Sequence, residues 1–127
     1  MRKNLAVLVA GLLCVVAPLA AHHSVSGEYD PAKQITIKGT VSKVEWTNPH
    51  ARIYVDVTDP SGNKTTWNFE LAARSALTRQ GWTGSSVKIG DAVTVEADAA
   101  RSGIPGGHTR TVTLADGSKV FSGANDN

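Results

Sequence analysis

Cysteine occurs once in this 127-residue chain, as Cys14, inside an apolar run near the start. The rest of the chain has no thiol, no disulfide and no thiolate metal site, so an oxidising compartment is permitted but unused. Basic runs are missing too. Lys33, Lys38, Lys43, Arg52 and Lys64 are scattered, which is not the electrostatic footprint of a nucleic-acid binder; no nucleic-acid partner is expected. No Gly-x-Ser-x-Gly elbow marks a nucleophilic serine. Nothing in the spacing of Glu45 and Glu70, the carboxylates nearest to aromatic strand residues, sets them across a cleft as a paired-carboxylate hydrolase requires. Internal repeats and low-complexity tracts are absent. The expectation is one domain without enzymatic activity.

The start of the chain is distinctive. Arg2 and Lys3 precede the apolar run Leu5 to Val16, and Pro18-Leu19-Ala20-Ala21 supplies small residues. This predicts a signal peptide over residues 1–21 and export to the periplasm. The run is too short to cross a bilayer, and no membrane span is expected after cleavage. Gly11-Leu12-Leu13 before Cys14 does not form a lipoprotein box, which needs a small residue next to the cysteine. Cleavage after Ala21 is preferred, because cleavage after Ala20 would put Pro18 at the −3 position; the mature chain then begins at His22. Removing Arg2 and Lys3 from thirteen Lys+Arg leaves eleven against eleven Asp+Glu, so the mature chain is neutral.

The remainder alternates in the manner of strands. Residues 22–33 form an extended lead-in ending at the turn-prone Asp30-Pro31. Ile35, Ile37, Gly39 and Val41 then alternate with polar residues, after which the apolar phase flips to Val44 and Trp46. A flip beside an in-strand glycine predicts a bulge or bend, as where one strand serves two sheets. Beyond Thr47-Asn48-Pro49, Ala51, Ile53, Val55 and Val57 share one face; Asp59-Pro60-Ser61-Gly62-Asn63 turns the chain into Thr65 to Leu71, completing a hairpin. Glu70 to Gln80 is rich in helix formers and stops at Gly81. Strands follow at Ala92–Ala97 and Thr109–Leu114, separated by a Gly/Pro-rich loop over Ser102–His108. Asp116-Gly117 turns towards a last strand at Lys119–Phe121, and residues 122–127 form a frayed tail. Three strands, a short helix and further strands are the element order of a mostly β, OB-like barrel of five to six strands over residues 34–121, its helix between strands three and four. A small β-sandwich with one helix is the alternative.

Several of these runs carry a resemblance. Ala21-His22-His23-Ser24, Gly39-Thr40-Val41, Glu45-Trp46-Thr47-Asn48-Pro49-His50, Trp67-Asn68-Phe69-Glu70, Gly81-Trp82 and Lys88-Ile89-Gly90-Asp91 resemble the DUF6152 family of small exported bacterial proteins. Periplasmic bacterial OB-fold proteins are similar more loosely, through the Gly-x-Val start and the Gly-Asp-x-Val fourth strand. The resemblance implies compartment and architecture, and brings no catalytic residue with it.

The residues themselves suggest two kinds of binding. A free amine and imidazole on a mature His22 would clamp Cu(II), and a second imidazole from His23, His50 or His108 would complete a three-nitrogen site suited to that ion. Starting at Ala21 instead would place His23 third, where amine, two amides and imidazole wrap Cu(II) or Ni(II). Against this, His22-His23 also reads as a solvated polar start, and His50 as a side chain that holds the Asn-Pro turn by bonding a backbone carbonyl. The second possibility is an aromatic face of Trp46, Tyr54 and Trp67 that contacts a small ligand or an envelope protein, Trp82 being a further candidate for the platform; tryptophan in so small a domain is otherwise core filler.

Overall fold

One strand runs through most of the architecture. In a computed structural model, which describes residues 25–122, β1 spans Tyr29–Glu45. Its first part pairs antiparallel with β4 (Ala92–Ala100) from Tyr29↔Ala100 to Thr40↔Ala92. Its last part pairs with β2 (Arg52–Thr58) from Thr40↔Asp56 to Glu45↔Arg52. The register slips between Val41 and Lys43, where the apolar phase flips in the sequence. Val41 is fully buried before the slip, and Val44 packs against the core after it. The bulge thus lets both halves of one strand point apolar side chains inward.

The strand begins earlier than its alternation suggests. Residues 25–28 are helical rather than extended, and residues 29–33 belong to β1. The Asp30-Pro31 turn does form, with Asp30 Oδ1 accepting the Ala32 N–H at 3.0 Å. It is absorbed as a bulge: pairing jumps from Asp30↔Ala99 to Gln34↔Asp98, and residues 31–33 loop out.

β2 and β3 (Lys64–Glu70) form the expected hairpin, in register from Arg52↔Glu70 to Thr58↔Lys64. Asp59 Oδ1 ties its turn, accepting the N–H groups of Ser61 and Asn63 at 2.9 Å each. The short helix α1 occupies only Arg74–Arg79; Glu70 stays in β3 because its backbone is committed to the pairs with Arg52 and His108. Ala73 at the helix N-cap has no side-chain acceptor. The Trp46–His50 turn acts in its place: Arg74 N–H donates to the Thr47 carbonyl at 3.3 Å and Ser75 N–H to Asn48 Oδ1 at 3.4 Å. Leu77, the buried residue of α1, joins the core from this end.

β5 (Gly106–Leu114) starts before the strand read from sequence, so Gly106, Gly107 and His108 leave the predicted loop. These three residues pair in parallel with Asn68, Phe69 and Glu70 of β3. With the β1–β2, β2–β3, β4–β5 and β1–β4 pairings, this closes a ring of five strands, with β6 (Lys119–Ser122) added outside on β5. The result is an OB-like, mostly β fold with one short helix between β3 and β4. Phe69, Ile53, Leu71, Leu77, Val55, Val95 and Val112 fill its interior, each side chain contributing roughly 1.5–3 kcal/mol by leaving water.

Glycine is required where backbones approach most closely. A Cβ on Gly39 would lie 2.3 Å from the Asp56 carbonyl oxygen, and one on Gly107 would lie 2.8 Å from that of Asp98. Backbone atoms cannot give way at those distances. Replacing Gly39 by Ala should therefore destabilise the fold by about 1–3 kcal/mol, read as a lower urea midpoint with the slope unchanged.

Candidate functional site around Glu70

On β3, side chains alternate between the interior and the outer face. Phe69 points inward and is fully buried; Glu70, next along, points outward. Yet Glu70 is only 4% exposed. Its cover comes from three side chains on two other stretches of the chain. Tyr29, from the start of β1, donates its hydroxyl to Glu70 Oε2 at 2.7 Å. Arg52, the direct partner of Glu70 on β2, sends Nη2 to the same oxygen at 3.2 Å and Nη1 to Asn68 Oδ1 at 3.2 Å. His50, leaving the turn before β2, places Nδ1 3.3 Å from Glu70 Oε1 and 3.3 Å from the Leu71 carbonyl oxygen. A buried carboxylate without such partners would be costly; here both oxygens are taken up.

The row continues around the ring. His108 is the direct partner of Glu70 on one side and of Asp98 on the other. Its ring lies against Tyr29, with centroids 5.6 Å apart. Asp98, also buried, is gripped by Arg110 through Nε at 2.6 Å and Nη2 at 3.1 Å. Glu45, Arg52, Glu70, His108 and Asp98 thus follow one another as paired neighbours across five strands, placing a histidine between two buried carboxylates.

Tyr29 shows the strongest electrostatic consequence. Burial, and then its hydrogen bond to the Glu70 carboxylate, push its phenol up to about 12. The Lys43 ammonium holds Glu45 below the ordinary carboxylate range, with Tyr54 adding a hydrogen bond to the same side chain.

Two of the four predicted metal-ligating histidines are therefore brought to one carboxylate. His50 touches Glu70, and His108 sits beside it behind Tyr29. His22 and His23 lie outside the described residues, as does the predicted signal peptide. Among the described residues, no three His, Cys, Asp or Glu side chains are grouped to hold a metal ion. The carbonyl bonded by His50 is that of Leu71, on the segment after β3, rather than one within the Asn-Pro turn. His50 therefore ties that turn to β3.

Trp46, Tyr54 and Trp67 are not brought together on one face. Trp67 is paired with the fully buried Val55 and stacks on Phe69 at 5.9 Å, partly buried against the core. Tyr54, one residue from Val55, faces outward beneath Lys43, whose Nζ lies 5.1 Å from its ring centre. Trp46 stacks on Trp82 at 6.5 Å, with Gly84 against its ring. The crevice beside this pair has a volume of about 10 Å³, the size of one water molecule.

Sequence reasoning missed Tyr29 and Arg52. Arg52 was legible as a polar residue beside the His50 turn, but its partner depends on hairpin register. Tyr29 had no local signal, because it reaches Glu70 across 41 positions of sequence.

Comparison with known proteins places this chain in a family. Residues 9–110 match DUF6152, described as a family of unknown function. The chain belongs to the DUF6152 family. No curated protein matches it. Among solved structures, the DUF6152 chain is similar to the crystal structure of the mitochondrial single-stranded DNA-binding protein Rim1 of S. cerevisiae. The TM-score is 0.50 at 17% identity, covering 69% of this chain and 96% of that one. At that identity the likeness concerns the fold, and supports the OB-like assignment of this DUF6152 member.

The raised phenol of Tyr29 has a pH consequence. Because its folded value lies above the unfolded value near 10, the native state holds the proton more tightly between about pH 10 and 12. The associated stability is complete below pH 10 and is lost as pH rises towards 12. Tyr29→Phe should therefore be less stable than wild type at pH 8, by about 1.5–3 kcal/mol for a bond to a charged acceptor. The gap should narrow through pH 10–12 in urea unfolding followed by circular dichroism.

Proposed function

We propose that this DUF6152 chain is an exported binding module of the periplasm that holds Cu(II) through its mature N-terminus. The ligands are the amine and imidazole of His22, completed by an imidazole on the ring. The observation that carries this reading is the position of Tyr29, seven residues beyond His22. It lies against His108 and shares the Glu70 carboxylate with His50. Even extended, residues 22–29 cover no more than about 25 Å, and the helical residues 25–28 shorten that reach, since a helix rises only about 1.5 Å per residue. Measured from Tyr29, that reach takes in the imidazoles of His50 and His108.

Export rests on the basic start, short apolar run and small residues before His22. No helix among the described residues is long and apolar enough to cross a membrane. A DNA-binding role of the Rim1 kind has little support on the outer face of β1 to β3. Lys43, Arg52 and Lys64 are each paired there with an acid, Glu45, Glu70 and Asp56 respectively, and Tyr54 is the aromatic side chain that the β2–β3 hairpin presents outward. Binding rather than catalysis is the reading for the carboxylates as well. Both oxygens of Glu70 are engaged internally, and Glu45 is tied to Lys43 and Tyr54.

The test is a calorimetric Cu(II) titration of the processed protein, its N-terminus verified by intact mass. One-to-one binding, abolished by one extra residue before His22, is the expected result. Weak binding, or binding indifferent to that extension, would sink the N-terminal copper site.

A further inference from the structure

Closure of the ring leaves part of β1 unused. β2 pairs with β1 only from Thr40 onward, while β4 pairs with the same strand from Tyr29 to Thr40. Upstream of Thr40, β1 therefore has a strand on one side alone. The direction of its backbone groups fixes what this exposes. Val41 N–H donates to the Asp91 carbonyl, and the Val41 carbonyl accepts from Gly90 N–H, so Val41 bonds on the β4 side. N–H and C=O alternate in direction along a strand. Ile35, Ile37 and Gly39 therefore bond on that side too, and Gln34, Thr36 and Lys38 turn their backbone groups to the open side. These three residues are exposed, and no other backbone among the described residues meets those groups.

We propose that this edge, Gln34 to Lys38, joins a second copy of the chain, antiparallel about a two-fold axis at Thr36, so that one sheet runs through both molecules. An unpaired edge is a template for another strand, and a two-fold contact requires a surface complementary to itself. Here Gln34 faces Lys38 of the second copy, Thr36 faces its own counterpart, and Lys38 faces Gln34. All of them present outward-turned backbone groups, giving about six hydrogen bonds at two per directly opposed pair. A shift in one direction runs into residues 31–33, which loop out of the strand. A shift in the other reaches Thr40, already paired to β2.

The side chains suit the same register. Ile35 and Ile37 lie on the inner face, partly buried against the core. The pairing sets Ile35 beside Ile37 of the second copy, a β-branched cross-strand pair on each side of the axis. On the outer face, Lys38 neighbours Thr94 of β4 and has no acid partner among the described residues. Across the joined sheet it meets an acidic flank, because Gln34 of the second copy is paired with Asp98 and Thr36 with Glu96. No like charges oppose one another.

The experiment is sedimentation velocity of the processed protein over a concentration series, in metal-free buffer so that no copper bridges two chains. Wild type should show a concentration-dependent monomer–dimer equilibrium, with the Thr36 and Lys38 amides gaining hydrogen-exchange protection as dimer forms. Thr36→Pro removes the N–H at the axis. That N–H faces away from β4, so the monomer loses no ladder bond; circular dichroism and the urea midpoint check the fold. Thr36→Lys puts two like charges on the axis of the dimer, yet in the monomer it stands opposite Glu96. Each variant should weaken the dimer by about tenfold or more. Mixing Thr36→Lys with Thr36→Glu should restore a dimer of one copy of each, since opposite charges then meet on the axis.

A wild type that stays monomeric across the series overturns the proposal. So does a dimer that Thr36→Pro and Thr36→Lys both leave intact, which would place the contact on another face. A mixture of the two charged variants that stays monomeric overturns it as well, because the two-fold would then not pass through Thr36.

Discussion

The three parallel residue pairs between β3 and β5 are the constraint on which the rest of the molecule depends. Without them the β-strands form an open sheet with β3 at one edge; with them five strands close on a common interior. Closure brings Gly106 so near the Asn68 carbonyl of β3 that it has no room for a side chain, while its neighbour Gly107 is confined by Asp98 and Ala97 of β4. Where side chains resume, at Glu70 and His108, the next pair already belongs to the candidate site. The site is therefore built on the seam of the ring.

That location explains its electrostatics. Strands that pair elsewhere along their length converge here, so residues from β1, β2, β3 and β5 crowd one outward position. Crowding removes water from Glu70, and the lost hydration is offset by Tyr29, Arg52 and His50. Tyr29 and Arg52 are held by their strands, β1 and β2, and His50 by the turn that leads into β2. On β4 and β5, Asp98 and Arg110 repeat the same solution with a two-point grip. Polar groups at the seam thus become fixed geometry rather than a solvated fringe.

The stretch from Trp46 to Ala51 connects this seam to the helix. Its backbone and Asn48 receive the first N–H groups of α1, Ala51 exchanges hydrogen bonds with Leu71 and Ala72, and His50 reaches Glu70. A short turn therefore substitutes for a missing helix cap and aims the imidazole. The same turn starts β2 in the register that puts Arg52 opposite Glu70. Structure and candidate chemistry share one set of contacts.

How much of this was legible beforehand follows from the range of each interaction. Alternation of apolar residues set the strand faces, the phase flip after Val41 marked the bulge, and Asp59 to Asn63 and Asp116-Gly117 marked their turns, because those signals act within a few positions. The OB-like order followed from counting elements. Glu70 looked like the first residue of a helix, His108 like the end of a loop, and Tyr29 like part of a loose lead-in, since each is placed by partners far away in sequence. Tryptophan content alone could not tell an outer platform from packing against the core; the pairing of Trp67 with Val55 turned it towards the core, where it is partly buried. By itself, then, the sequence determined strands, turns and the family to which the chain belongs. Which polar side chains meet at the seam was decided by tertiary structure alone, because β3–β5 closure joins segments that no local pattern relates.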